Sequence, residues 1–313
     1  MEIAVLMSTY NGEKYVDEQI QSILNQTESD FNLYIRDDGS TDSTVRIINT
    51  YSKKDSRIRF IQDDMQNLGP KDSFFQLLNN VSADYYFFCD QDDIWENNKI
   101  QLMMNELDSY GNDIPLLAYS NLKCIDKDGE KIQDFVSFEN MVNTDIKNID
   151  YFQTNNIPGC TMVINKKTAD IFKMGGVKQQ LNQEYIQMHD WWVALIAAAF
   201  GRIIHVNKTL VYYRQHSNNT LGAGVKRSKI QKIKNVFNIQ KKIKLSLKKA
   251  VMQAKYFNEV YGKYINNNMK TFIEKFSNYN SLSFIDKIKF IKKYKLQRYS
   301  KKSTLLFRII FLF

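Results

Sequence analysis

Four apolar runs, each closed by a cluster of polar residues, set the tightest limit on how this chain can fold. Ile3–Met7 gives way to Ser8-Thr9-Tyr10-Asn11-Gly12, and Phe31–Arg36 runs into Asp37-Asp38-Gly39-Ser40-Thr41-Asp42. Ile58–Ile61 precedes the turn Asn67-Leu68-Gly69-Pro70, and Tyr85-Tyr86-Phe87-Phe88 stops at Cys89-Asp90-Gln91-Asp92-Asp93. Between the runs, Val16, Ile20, Ile23 and Leu24, then Val45, Ile48 and Tyr51, then Phe74, Leu77, Leu78 and Val81 recur at helical spacing. Continuous apolar runs are strands buried on both faces, and their alternation with helices predicts a parallel sheet covered on both sides. Ligands of such sheets bind in the crevice at the strand C-termini, where the polar clusters converge. No GxGxxG or P-loop follows the first strand, which excludes the dinucleotide-binding variant.

The last cluster carries the most charge. Asp90, Asp92 and Asp93 place three carboxylates within four positions. Like charges at that density repel, and a cation or a donor-rich ligand relieves the repulsion. Oxygen-only ligands at a strand end suit a hard divalent ion that keeps some waters and shares a phosphate. A solvated acidic turn is the alternative.

At 313 residues the chain has room for one good core and an appendage. Its three cysteines, Cys89, Cys124 and Cys160, are scattered without metal-ligand spacing, which points to free thiols in a reducing compartment and away from zinc. Met1-Glu2 has no basic leader and Ile3–Met7 is too short for a signal core, so a cytoplasmic location is expected. Charge is divided sharply: residues 225–313 hold 23 Lys and Arg against Glu259, Glu274 and Asp286, whereas 1–224 hold 20 against 31 acidic residues. Such asymmetry points to an anionic partner for the tail, a membrane surface or nucleic acid.

With Ser8–Gly12, Asp37–Asp42 and Asp90–Asp93 in this order, the chain resembles the family 2 glycosyltransferases, inverting enzymes of the GT-A fold that use nucleotide-activated sugars. The resemblance covers about residues 1–220 and implies an α/β, Rossmann-like nucleotide-diphospho-sugar transferase domain. It implies that Asp38 accepts from the imide N–H of a pyrimidine, that Tyr10 packs on the base and that Ser8 lies at its edge. Asp90 and Asp92 match the DxD pair, one near the ribose and one on a Mg2+ or Mn2+ that bridges the diphosphate, with Asp93 sharing that work. Asp37 and Asp42 can equally cap the next helix. Lys71 is a phosphate contact or a solvated surface lysine.

Further along, Leu116–Ser120 reads as a strand and Asp126-Lys127-Asp128-Gly129 as a hairpin turn. Residues 134–156 read as a polar, acceptor-facing loop. Pro158-Gly159-Cys160 turns into the next strand; the resemblance places Gly159 on the acceptor side of the cleft, while a tight turn explains it as well. An inverting transferase needs one carboxylate to deprotonate the acceptor hydroxyl. The family keeps that base in an acidic pair opening a helix, usually Glu-Asp. Here the pair is His189-Asp190, so Asp190 takes the role, with His189 the alternative base and a helix cap the alternative for Asp190. One of Trp191 and Trp192 is expected to stack on a sugar and the other to pack in the core. After the strand Val206–Tyr213, Arg214 is a candidate for the diphosphate and His216 for the metal shell. Gly222-Ala223-Gly224 reads as the hinge to the tail.

From residue 229 onward the pattern is helical, with Ile233, Phe237, Ile243, Leu247, Val251, Ala254 and Phe257 near one face. Asn266-Asn267-Asn268 breaks it, another helix begins at Ser283, and Thr304–Phe313 is too short to span a bilayer, which needs about twenty residues. Helices of this composition lie on an anionic membrane or pack on the catalytic domain with their lysines in water. The division expected is therefore a catalytic domain over 1–224 and a basic helical tail over 225–313. The resemblance is nearest to bacterial rhamnosyltransferases of surface-polysaccharide assembly. It implies single transfer of a sugar, with dTDP-rhamnose as the donor among UDP- and dTDP-sugars and a glycan or lipid-linked acceptor. The QxxRW motif and membrane helices of the processive synthases are absent. A nucleotidyltransferase is disfavoured because Ser8–Gly12 lacks a Gly-rich basic phosphate loop. A nucleic-acid module is disfavoured because Phe237, Phe257 and Tyr261 fit a helical face better than a stacking platform, so no nucleic-acid partner is expected.

Overall fold

The first strand shows how the two faces of the molecule are made. In β1, Ile3–Thr9, side chains alternate: Ile3, Val5 and Met7 enter one core while Ala4 and Leu6 enter the other. A computed structural model of the chain describes residues 1–111, 113–132, 148–175, 184–216, 234–298 and 301–313. After β1 come α1 (Val16–Leu24), β2 (Asn32–Asp37), α2 (Thr44–Lys54), β3 (Ile58–Ile61), α3 (Gly69–Asn80) and β4 (Tyr85–Cys89). A short β5 (Ile94–Trp95), α4 (Lys99–Asp108), β6 (Leu116–Ile125), β7 (Met162–Asn165), α5 (Lys166–Met174), α6 (His189–Phe200) and β8 (Arg202–Arg214) complete the sheet region.

The strand order is β3-β2-β1-β4-β7-β6-β8-β5. Strands β1 to β4 are mutually parallel, as the alternation of runs predicts. The sheet then becomes mixed: β7 is antiparallel to both β4 and β6, while β6 and β8 are parallel. An all-parallel sheet therefore describes only the first half. The chain walks outward from β1 through β2 to β3 and returns to place β4 on the other side of β1, which makes a switch point between β1 and β4. Because β7 runs against β4, its entry turn at Gly159–Thr161 lies beside the exit of β4. The loops after β1, β2 and β4 and the turn before β7 thus share one edge.

Two expectations need correction here. The turn Asp126–Gly129 forms, with the Gly129 N–H donating to the Asp126 carbonyl, and among the described residues the return strand amounts to a single bridge, Ile125 to Lys131. Gly69 and Pro70 belong to the first turn of α3, where proline's missing N–H costs nothing. Of the polar loop, residues 133–147 lie outside the described residues, and 148–152 form a 3-10 turn with Asp150, Tyr151 and Phe152 buried. The glycine hinge at 222–224 also lies outside them.

The tail forms α7 (Lys234–Tyr261), α8 (Asn267–Ser277), α9 (Phe284–Tyr294) and α10 (Lys301–Leu312). Asn266 and Ser283 cap α8 and α9 by accepting the backbone N–H groups of Met269 and Asp286. Ile243, Leu247, Ala254 and Phe257, the face expected from the spacing, enter the same core as Trp192, Leu195 and Ile196 of α6. That face is spent on the sheet-bearing half of the chain. No helix among the described residues is long and apolar enough to cross a membrane.

Candidate active site

At the switch point Gln91 ties the first and fourth strand ends together. Its amide accepts from the Tyr10 N–H at 2.9 Å and donates to the Tyr10 carbonyl at 3.0 Å. A Cβ at Gly12 would strike this amide, so Gly12 admits the bracket. Tyr10 itself is left 49% exposed at this strand end. Behind it a polar chain runs inward: Ser8 donates to Ser73 at 2.7 Å, Arg36 donates to Ser73 at 3.0 Å, and Arg36 pairs with Asp38 at 2.9 Å. Asp38 also accepts the Leu68 and Gly69 N–H groups at the start of α3. This differs from an open base-binding carboxylate. Asp38 is buried, and three of about four lone-pair positions are taken, leaving at most one for a ligand. Asp37 closes its own turn by accepting from Thr9, Gly39 and Ser40. Asp42 accepts the Thr44 N–H, the helix-side role that its position allowed.

The acidic cluster is split between the cleft and its floor. Asp92 faces His216, whose Nε2 lies 2.7 Å from Asp92 Oδ2. The imidazole stacks on Tyr15, with ring centroids 5.0 Å apart. Asp90 is half-buried at the end of β4, and burial, then the charges of Asp92 and Asp190, push its carboxyl up to about 7. Asp93, by contrast, is wholly buried and accepts the Arg214 N–H at 3.1 Å. Expected to share the work of the DxD pair, it instead anchors β8 beneath the cleft. The carboxylates of Asp90 and Asp93 and the Cys160 thiol approach within 4.8 Å of one another, but burial drives this thiol and the Asp93 carboxyl strongly towards their neutral forms. The buried Lys99 side chain lies in the same floor; it donates to the Cys160 carbonyl at 2.6 Å, lies 3.4 Å from the Trp95 ring centroid, and is drawn down to about 8 by burial. Among the described residues the ligand atoms that converge are thus those of Asp90, Asp93 and Cys160, while Asp92 pairs with His216.

Arg214 does not face the cleft as a diphosphate ligand. Its guanidinium donates to the carbonyls of Asp92, Asp126 and Lys127 and pairs with Glu18. It locks the acidic loop to α1 and to the turn after β6. Lys71 donates to the Ile186 carbonyl at 3.3 Å.

Across the cleft, α6 opens with His189-Asp190. Burial holds the Asp190 carboxyl at about 6, although the Trp191 N–H, the Asn155 side chain and the Gly159 N–H all favour its charged form. A side chain at Gly159 would meet His189 Nε2 at 2.8 Å, so this glycine lets the turn close on the imidazole, with Asp190 Cβ in ordinary contact at 3.5 Å. His189 is no match for a base. It is buried between Phe74 and Phe88, with centroids 4.1 and 5.7 Å away, and burial lowers its pKa to about 3. Neither tryptophan offers a sugar an open face. Trp192 is fully buried against Tyr256, Phe257 and Tyr261 of α7, and the buried Trp191 donates to the Tyr151 carbonyl at 2.7 Å.

Several contributors have no signal in the sequence. Tyr15, Glu18, Asn155 and Lys99 are ordinary residues of loops and helix faces, and only their packing gives them a role. Gln91 could have been found, since it stands between the carboxylates of the strand-end cluster.

Residues 4–172 match the profile of Glycosyl transferase family 2. A dTDP-rhamnosyl transferase, RfbG, of Shigella flexneri is 31% identical over 70% of this chain and 74% of its own length. Among solved structures, S. aureus TarS residues 1–349 covers 99% of this chain and 90% of its own, with a TM-score of 0.54 at 16% identity. A mannosyltransferase of Pyrobaculum calidifontis, solved with GDP-Man and Mn2+, covers 99% and 85% with a TM-score of 0.52 at 11% identity. The sheet with its carboxylate-bearing switch point is that of a GT-A glycosyltransferase. Within that class, the chain belongs to glycosyl transferase family 2.

Proposed function

We propose that this enzyme transfers a single sugar, L-rhamnose from dTDP-rhamnose, with inversion to a glycan or lipid-linked acceptor, working at an anionic membrane surface in the cytoplasm. The observation that carries the reading is the gathering of carboxylates at the exit of β4, where the adjoining Gly159 turn packs against Asp190. Asp190 at the head of α6 and the Asp92–His216 pair flank Asp90, which responds to the charge of both Asp92 and Asp190. The rhamnosyl donor is supported by the Shigella flexneri relative.

The chain's own residues divide the work. Tyr10 covers the base, Ser8 lies at its edge, and Asp38 offers its remaining lone pair to the imide N–H. Asp90, Asp92 and His216 would hold a divalent cation, Mg2+ or Mn2+. Carboxylate oxygens with one imidazole nitrogen fit such an ion, and Mn2+ tolerates the nitrogen better than Mg2+. Bound there, the ion supplies positive charge to the leaving diphosphate. Asp190 takes the acceptor hydroxyl proton; near pKa 6 it is ionised at neutral pH yet basic enough to act. Gly159 and Asn155 hold the carboxylate in place. The test is a panel of dTDP-, UDP- and GDP-sugars with Mg2+, Mn2+ or chelator, read as nucleotide release. The reading expects dTDP-rhamnose to turn over fastest and only with metal. Faster turnover of another donor would overturn the rhamnose assignment, and metal-independent release would overturn the metal site.

A further inference from the structure

The apolar face of α7 is consumed by packing, yet the tail keeps a second apolar face in water. At the start of α9, Phe284 and Ile285 are exposed, Ile285 to 64%. Leu305 and Ile309 of α10 and Phe313 just beyond its end recur every fourth residue and so follow one stripe, with Leu305 63% and Phe313 90% exposed. The rings of Phe284 and Phe313 approach to 6.0 Å, which joins the two stripes into one patch. Beneath it the helices are locked by Phe290 stacked on Phe311 and by Lys287 donating to the Leu312 carbonyl at 3.2 Å. The exposed Lys289 and Lys292 continue the same stripe of α9, and Lys302 stands one turn before Leu305. The acidic group at hand, Asp286, is engaged by the Ser283 hydroxyl at the head of α9.

We infer that this face of α9 and α10 docks on an anionic lipid bilayer, the phenyl and aliphatic side chains entering the interface and the lysines meeting the headgroups. The inference rests on the proposed membrane-surface function and gives it an address. Helices lying in the interface bury their apolar side about 5–10 Å deep and gain from anionic lipid. A second copy of the chain is a poorer occupant, because two lysine-rimmed faces would repel. Nucleic acid would satisfy the lysines and leave the apolar stripe unexplained.

The test is co-sedimentation of the full chain with phosphatidylcholine vesicles containing or lacking phosphatidylglycerol. Wild type is expected to bind only the anionic vesicles. Ile285→Ser with Leu305→Ser and Phe313→Ser should weaken binding by about ten-fold or more, and Lys289→Gln with Lys292→Gln by about five-fold per lysine. Melting temperature and nucleotide-sugar turnover should hold in both variants, since these side chains lie outside the core and the cleft. Anionic-vesicle binding that the serine variant leaves intact would overturn this address while sparing the membrane reading. Absence of vesicle binding by an active enzyme would overturn both. A wild-type dimer that the serine variant converts to monomer, without loss of vesicle binding, would assign the face to self-association instead.

Discussion

Asp190 ionises at a cost to the fold. Its carboxyl is held at about 6, above the 3.8 of the free side chain, so the folded state binds the proton more tightly than the unfolded one. The associated stability is full below pH 3.8 and is lost as pH rises through 6. Asp190→Asn, which removes the charge, is therefore expected to raise stability at pH 7.5 by about 1–3 kcal/mol and to change it little at pH 4. Denaturant melts at the two pH values measure the difference, and equal effects at both would show that the carboxylate is not strained. With Asp190 as the proposed base, the acid limb of kcat/KM is expected near pH 6, read from a pH–rate profile. Asp92 and His216 belong to the same scale: Asp92→Asn should abolish metal-dependent turnover without unfolding the chain, and His216→Ala should weaken Mn2+ more than Mg2+, read by metal titration of donor turnover. Undiminished Mn2+ affinity in His216→Ala would confine the imidazole to its stack on Tyr15. At this scale the sequence located the acidic cluster at a strand end, where the structure sets Asp92 against His216. It misled for His189 and Arg214, because residue type displays chemistry but not the partners that consume it: an aromatic box in one case, three carbonyls and Glu18 in the other.

At the scale of elements, the strands and helices from β1 to β4 were legible because apolar runs and helical spacing differ clearly over short windows. Beyond β4 the local pattern is a weaker guide. The two-residue β5 is too short for any period, and α4, α5 and α8 went unread. The antiparallel insertion of β7 is set by pairing between distant strands, which no local pattern records. Helix α6 illustrates the limit best. Its sequence is apolar on every side, and the structure surrounds it with the sheet on one side and α7 on the other. Trp192, with Phe200, packs α6 on α7, and Trp192→Ala is expected to cost about 3–5 kcal/mol through the cavity it leaves. Chemical denaturation reads this directly. A loss under about 1 kcal/mol would mean that the tail packs loosely and that the indole is free for other work.

Taken whole, the molecule joins an acidic catalytic half to a basic tail through one apolar core. The charge division was plain from composition; the shared core was not, because a lysine-rich amphipathic helix reads the same whether its apolar face meets lipid or protein. Cutting the chain after Gly224 would strip from Trp192 and Phe200 the rings of Phe257 and Tyr261 that cover them. Such a fragment is expected to aggregate or to melt well below the full chain, measured by scattering and thermal denaturation. A soluble fragment with the full-length melting temperature would establish 1–224 as an independent domain.

The central claim is that Asp190 is the base of an inverting sugar transfer, and one comparison tests it. Asp190→Asn keeps the size and the Trp191 contact but cannot accept a hydroxyl proton at neutral pH. With dTDP-rhamnose and Mn2+, nucleotide affinity by calorimetry should stay within about two-fold while transfer falls by about 100- to 10,000-fold. Near-normal transfer at unchanged nucleotide affinity would contradict the account, since asparagine serves a helix start as well as aspartate and only a capping residue could be exchanged without loss.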